Sequence, residues 1–555
     1  EEYETIVKKQ KKFYENIKIE FKDSTTNVKE ITSLECETII EAIEKLKTSF
    51  EERMNSETKV TLAKAINYIG ELTIEEVDWL IENREALQLT GESGKFVKTA
   101  MQIYQQGLAA AATKYSEFYQ NFRDHGFKHA LEVTKYAMEL AQELNLSEAE
   151  IEIVSYAALA HDFGMQGGKV YIDESLLEKF AKSYRKHKGE KESTNEPAYK
   201  EMFRKDLLKE SRVWDIDGLQ TYLKETYGEF ISNKDFIMNV ARSSHPLNSA
   251  LDILANSEIV PTELQEKIVK EFGLENAENT AASLIAILAM SHSKSTSGIK
   301  LMDQRQMWLS CVEKLKLSAE SRGVAGNLNI EVLNKIINDP KLFEKLQDMA
   351  VLIRDGDAMS KVVSKDGTLK TIMQNGEEAI LGITAVRGEN LFNEEGKLID
   401  AKTEQSRIKE VTTRGRIVND GFSRSIHIGE LNTEYSSKYT TENGKKYEAT
   451  VTVKDSSLAP HSTISQSILE RLGELNTYTN MDERTFTIYL SRETDLRIID
   501  LYNEEIETWK SKTLDATKAE LEALGIKEGT EEYETIVKKQ KKFYENIKIE
   551  FKDST

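Results

Sequence analysis

The strongest constraint this chain places on its own fold is a set of six side chains of metal-binding type: His129, His161, Asp162, His245, His292 and Asp357. Four of them end predicted helices, so the fold must bring helix ends towards one point. The sharpest piece is IVSYAALAHDFGMQGG, an apolar helix from Ile153 to Ala160 that meets His161 and Asp162 directly before Gly164, Gly167 and Gly168. One imidazole and one carboxylate thus sit side by side at a helix end. Imidazole suits Zn, Fe, Ni or Cu and carboxylate suits harder ions, so the mixed set fits a divalent transition metal with positions left open for water.

A His-Asp doublet after an apolar helix, preceded 32 residues earlier by RDHGFKHALEVTKYA, resembles the HD-domain superfamily of metal-dependent phosphohydrolases. The resemblance spans Phe122 to Lys361. It implies a helical core in which His129, His161, Asp162 and Asp357 ligate metal, the last of them in AVLIRDGDAMS, with Asp355 as the neighbouring alternative. Relatives holding two metals add two histidines between the doublet and the last Asp. Here those are His245 in NVARSSHPLNSA and His292 in LIAILAMSHSKSTSGI. The implied cofactors are therefore two divalent ions, of Mn, Fe, Ni, Zn or Mg type, with Asp162 as the bridging ligand.

The same stretch is similar to the cyclic-nucleotide phosphodiesterases, which implies that His125, one helical turn before His129, protonates the leaving oxygen. In the HD-GYP branch a carboxylate often stands at that place. That branch also has a Lys three residues after the doublet and a Gly-Tyr-Pro tripeptide near its later histidines. This chain instead reads Phe163-Gly164-Met165 and His245-Pro246-Leu247-Asn248, so a cyclic-di-GMP assignment is unsupported. The acidic follow-on of the alarmone hydrolases is missing too.

The activity this implies is hydrolysis of a phosphoester, nucleotide or cyclic-nucleotide in type, by water activated between two metals. Basic and hydroxyl groups near the ligands in sequence are the candidates for phosphate contact: Arg242, Ser293, Lys294 and Arg354. HSKSTSGI, with Ser293, Ser295, Thr296 and Ser297 around Lys294, is the most suggestive, although a Ser/Thr cluster at a helix junction also serves as a cap. Two alternatives remain open. One is a di-iron oxygenase, as some relatives are; the other is a catalytically silent sensor or scaffold module. Any single helical histidine is more often a hydrogen-bonded core residue than a ligand. The conjunction shifts the weighing, since five of the eight histidines fall where the family requires them. His187 reads as a solvated member of a charged run, and His427 and His461 as packing or loop residues.

With 555 residues the chain has room for two to four domains, and 31% charged residues with five Pro suggest a mainly helical protein with solvated faces. A formal charge of −20 and a pI near 5.2 argue against a general binder of nucleic-acid backbones. A small phosphorylated ligand is still admissible, because bound metal supplies its own positive field. Two cysteines, Cys36 and Cys311, exclude a disulfide framework and fit a reducing compartment, with the cytoplasm as the default. No apolar stretch is long enough to span a bilayer, so no membrane partner is expected, and EEYETIVKKQKKFYEN is not a signal peptide.

Residues 1–25, EEYETIVKKQKKFYENIKIEFKDST, recur unchanged at 531–555. The offset of 530 residues reads as one period of a tandem duplication, or else as an artificial or spliced junction; tandem copies or self-association through terminal helices follow as an expectation. The fold class expected is mainly α: a helical N-terminal region over 1–115, the metal-binding domain over 116–365, an α+β appendage over 366–492 and charged amphipathic helices over 493–555. Within the second part a charged stretch from Gly168 to Asp235, most polar in SYRKHKGEKESTNEP, is either a lid or a surface excursion. In the appendage KYEATVTVKD and RTFTIYLS read as strands and SQSILERLGEL as a helix. Arg414, Arg416 and Arg424 there are more often scattered surface charges than an anion site. KKQKKFYENIKIEF reads as a packing or partner-binding helix.

Overall fold

A computed structural model describes residues 33–55, 61–113, 126–166, 169–172, 174–190, 196–208, 213–228, 234–274, 278–292, 304–360, 369–372, 378–383, 411–413, 416–417, 433–454, 456, 462–478, 480–494 and 496–552. Five helices build the centre and are labelled here in chain order: α1 (Phe127–Glu143), α2 (Glu148–Ala160), α3 (Lys234–Ala255), α4 (Thr280–Met290) and α5 (Pro340–Met359). Two of them, α2 from Ile153 onward and α4, are largely apolar around their whole circumference and therefore have to be covered on every side. All residues from Ile153 to Ala160 in α2, and all eleven of α4, are buried. Each fully buried Leu, Ile or Val contributes about 1.5–3 kcal/mol, so these two rods anchor the rest. Their starts are set locally. Ser147 and Glu150 form a reciprocal capping box on α2, and Asp339 caps α5 ahead of Pro340 in the first turn.

The N-terminal region is helical as expected, with helices Ser33–Met54, Leu62–Glu71, Ile74–Glu82 and Glu92–Thr113. It is tied to the centre at two buried points. Glu152 of α2 accepts from the backbone N–H of Leu62 at 2.5 Å, and the Tyr104 hydroxyl donates to the Leu159 carbonyl at 2.9 Å. The charged stretch after the doublet is a small unit with a core of its own. Its strands Lys169–Tyr171 and Val213–Asp215 pair antiparallel. Among its helices, Phe180, Tyr184, Phe203 and Tyr227 pack ring against ring.

The C-terminal part carries the expected mixture. A four-stranded sheet has the order β4-β3-β2-β1, with β1 Thr433–Thr440, β2 Lys446–Val453, β3 Glu483–Ser491 and β4 Ile547–Lys552. β1 and β2 form an antiparallel hairpin. The parallel β2–β3 step is crossed by α6 (Ser462–Asn476), and the parallel β3–β4 step by α7 (Leu496–Ala523) and α8 (Glu531–Glu545). A second antiparallel sheet is made by Leu369–Ile372, Glu378–Ile383, Val411–Thr413 and Arg416–Ile417.

KKQKKFYENIKIEF is not a single helix: α8 ends at Glu545 and the chain continues as strand β4, parallel to β3. The reason is local. After Asn546 the alternation of Ile547, Ile549 and Phe551 with Lys548, Glu550 and Lys552 has period two, with β-branched residues on one side. The terminal helices are therefore part of the sheet's architecture. The identical copy at residues 1–25 lies outside the described residues.

Candidate metal centre

All six expected ligands are described, and they converge. His129 lies in the first turn of α1, His161 is the residue that ends α2, Asp162 follows it, His245 is in α3, His292 comes just after α4, and Asp357 is in the last turn of α5. His129, His161, Asp162, His245 and His292 are all buried, while the Asp357 side chain keeps 28% exposure and marks the solvent side.

The carboxylate of Asp162 divides the set in two. Its Oδ2 is 3.5 Å from His129 Nε2 and 3.2 Å from His161 Nε2. Its Oδ1 is 3.5 Å from His245 Nε2 and 3.7 Å from His292 Nε2. Asp357 Oδ1 joins the first half, 3.3 Å from His129 Nε2 and 4.0 Å from His161 Nε2. In the second half the two Nε2 atoms of His245 and His292 face each other at 2.9 Å. His129, His161 and Asp357 form one group with ligand atoms close enough to hold a metal ion, and His161, Asp162 and His292 form another.

The imidazoles are also set in the right tautomer. A carbonyl oxygen only accepts, so Nδ1 of His161, 2.7 Å from the Ala158 carbonyl, and Nδ1 of His292, 2.5 Å from the Ala289 carbonyl, carry the proton. Their Nε2 atoms then face the carboxylate of Asp162. For His129 the chain is longer. Ser360 donates to Glu132 Oε2 at 2.7 Å, which leaves its oxygen to accept from His129 Nδ1 at 2.9 Å. Burial and the neighbouring His161 push His292 down to about 4, so its ring is neutral at pH 7. The buried Nε2 of His161 has no hydrogen-bond partner, an arrangement that costs free energy unless something else takes the lone pair. This donor set, imidazole nitrogens around a shared carboxylate, fits a divalent transition metal.

Two glycines make the convergence sterically feasible. A Cβ on Gly164, two residues after Asp162, would collide with the His245 carbonyl oxygen and lie 2.5 Å from the Ser249 nitrogen. A Cβ on Gly356, beside Asp357, would lie 2.7 Å from the Val133 carbonyl oxygen of α1. Ser249 then locks the first approach: its hydroxyl accepts from the Gly164 N–H at 2.9 Å and reaches the His161 carbonyl at 2.5 Å.

Asp355 does not share the ligand position with Asp357. It is fully buried on the other side of α5 and is held by groups of the C-terminal sheet and α6. Of the groups expected near phosphate, Arg354 is buried and its Nε donates to the Ser291 carbonyl at 2.8 Å, bracing the turn that presents His292. Arg242 lies on α3, one turn before His245. His125, Ser293 and Lys294 lie outside the described residues, as do Ser295, Thr296, Ser297, His427 and His461. His187 is exposed at the end of its helix. Sequence reasoning missed Ser249, Ser360, Glu132 and Gly356. Ser249, four residues after His245 and so on the same helix face, was the one with a usable spacing signal.

Residues 119–315 match the HD-CE family. That segment is an HD-like domain and contains five of the six converging residues; Asp357 reaches the site from beyond it. No curated protein and no solved structure matches the chain. Among the described residues no helix is long and apolar enough to cross a membrane.

Proposed function

We propose that the chain is an HD-type metal-dependent phosphohydrolase that cleaves a nucleotide-type phosphoester at a binuclear centre. The observation that carries this reading is the division of labour at Asp162, whose two oxygens face two different histidine pairs in the manner of a bridging ligand. His129, His161 and Asp357 would complete one position, and His245 with His292 the other. A pair of divalent ions there supplies an activated water and neutralises charge on the phosphoryl oxygens. The remaining work falls to side chains. His125, four residues before His129 in sequence, donates a proton to the leaving oxygen. Ser293 and Lys294, directly after His292, and Arg242, one turn before His245, supply hydroxyl and cationic contacts to the phosphate.

Metal content and turnover measured on the same preparations test this. Wild-type protein is expected to hold two ions per chain and to hydrolyse phosphoesters with Mn²⁺ or Ni²⁺ without consuming O₂. Asp162→Ala should lose both ions and all turnover. His125→Ala should keep the metal and lose turnover by roughly 10²–10⁴, less for esters with good leaving groups. Oxygen uptake without ester hydrolysis would move the assignment to the oxygenases. Intact metal with no turnover of any phosphoester would favour a silent sensor or scaffold.

A further inference from the structure

The carboxylate of Asp355 is fully buried and gathers four donors, every one of them from the C-terminal α+β part. Tyr439 of β1 donates to Oδ2 at 2.6 Å. Oδ1 takes Arg471 of α6 at 2.5 Å, Tyr478 at 3.1 Å and Tyr447 of β2 at 3.3 Å. Burial, with the Asp355 charge beside them, holds the Tyr439 and Tyr478 phenols far above their ordinary range, so they stay protonated donors. Two residues along a helix turn about 200°, so Asp355 and Asp357 occupy opposite faces of the same turn of α5. Gly356 between them is pressed against the Val133 carbonyl of α1, and Ser360, which ends α5, accepts from His129. A small rotation of this turn therefore moves Asp357 and the partner of His129 together.

From this arrangement we infer that the C-terminal part is a positioning element for the metal centre, and that Asp355, gripped by Tyr439, Tyr447, Arg471 and Tyr478, sets the angle at which α5 presents Asp357. The inference rests on the proposed metal centre. It assigns a role in that centre to residues from a region the HD-CE match does not reach. Buried hydrogen bonds behind ligating side chains fix ligand orientation, and losing them usually weakens metal binding by about 10–100-fold. A further anchor provides the internal control. Lys445 pairs with Glu344 and Asp348 on α5 at 2.6 and 2.7 Å, about three and a half and two and a half turns before Asp357, so it docks the same sheet without gripping the terminal turn.

The test is titration of the full-length metal-free chain with Co²⁺, followed by its visible absorption, which reports both affinity and coordination geometry. Tyr439→Phe removes a single hydroxyl and Asp355→Asn removes the gripped charge; helix content from circular dichroism accompanies both. The expected result is folded variants with a changed cobalt spectrum and about tenfold or weaker binding at one position, while Lys445→Ala keeps the wild-type spectrum. If Asp355→Asn does not fold, Tyr439→Phe decides alone. Wild-type affinity and spectrum in Tyr439→Phe, or the same spectral change in Lys445→Ala, overturns the inference. Wild-type protein that binds no Co²⁺ overturns the metal-centre reading itself, a separate outcome.

Discussion

Two buried polar clusters meet on α5, and they are built on opposite principles. Around Asp355 the carboxylate oxygens are surrounded by phenol and guanidinium donors at hydrogen-bond distance. Around Asp162 the neighbours are imidazole Nε2 atoms at 3.2 to 3.7 Å, and the buried Nε2 of His161 has no hydrogen-bond partner. Carboxylate with donors is self-sufficient and holds structure together. Carboxylate with imidazole nitrogens is a set that a divalent cation can bind. A carboxylate ringed by N–H and O–H donors and one ringed by metal-ligating nitrogens thus differ as scaffold and candidate site.

The comparison breaks most severely at Gly164. Alanine there sets a methyl against the His245 carbonyl, the Ser249 nitrogen and, at 2.7 Å, the Asn248 Cβ, so two of the three obstacles are backbone atoms that cannot rotate away. The doublet turn would have to leave α3, separating Asp162 from His245. Gly164→Ala should therefore cost about 3 kcal/mol or more of stability and abolish metal binding in the His245–His292 half. Chemical denaturation and metal stoichiometry measure the two effects. A variant of wild-type stability would show that the approach of the turn to α3 is looser than described.

Of comparable cost to stability, with a smaller effect on metal, is a change in the donor-rich cluster itself. Arg471→Met leaves the Asp355 carboxylate buried with its phenols but without its counter-charge, and breaking a buried ion pair from one side costs about 3–5 kcal/mol. The double variant Asp355→Asn with Arg471→Met removes the stranded charge and should recover a good part of that loss. Equal destabilisation in the single and double variants would mean that packing of the Arg471 side chain, and not its charge, is what the cluster uses.

Much of this was legible in the sequence because it obeys local rules. The apolar run Ile153–Ala160 followed by His161 and Asp162 and the period-two strands β2 and β3 depend on neighbours within one or two turns, whereas the candidate ligand set from His129 to Asp357 rested on the family resemblance. Whether Asp355 or Asp357 joins the histidines was not decidable that way. Both sit in the same turn, and the choice depends on which face of α5 meets the tyrosines of a sheet that begins at Thr433. The Ser360–Glu132 support of His129 was hidden for the same reason, since its members are 228 residues apart. The strand β4 was misread because the helical period of its predecessor, α8, was carried across Asn546 into a segment with a different period. Short-range pattern writes the elements; pairing between faces is written only in three dimensions.

The smallest expected effect probes that long-range support. Ser360→Ala removes the acceptor for the His129 Nδ1 proton but leaves the ring in place between α1 and α5, with Gly356 still against Val133. The lost hydroxyl also frees Glu132 Oε2, which is only partly buried in this contact and can turn to solvent. Stability should therefore change by less than about 1 kcal/mol. Metal affinity should fall by roughly 10–100-fold at the position completed by His129 and Asp357, because the ring loses its fixed tautomer while keeping its packing. Competitive chelator titration would separate the two positions: a loss confined to one supports the divided role of Asp162, whereas an equal loss at both means that the two histidine pairs respond as a single unit and that the carboxylate does not insulate one from the other.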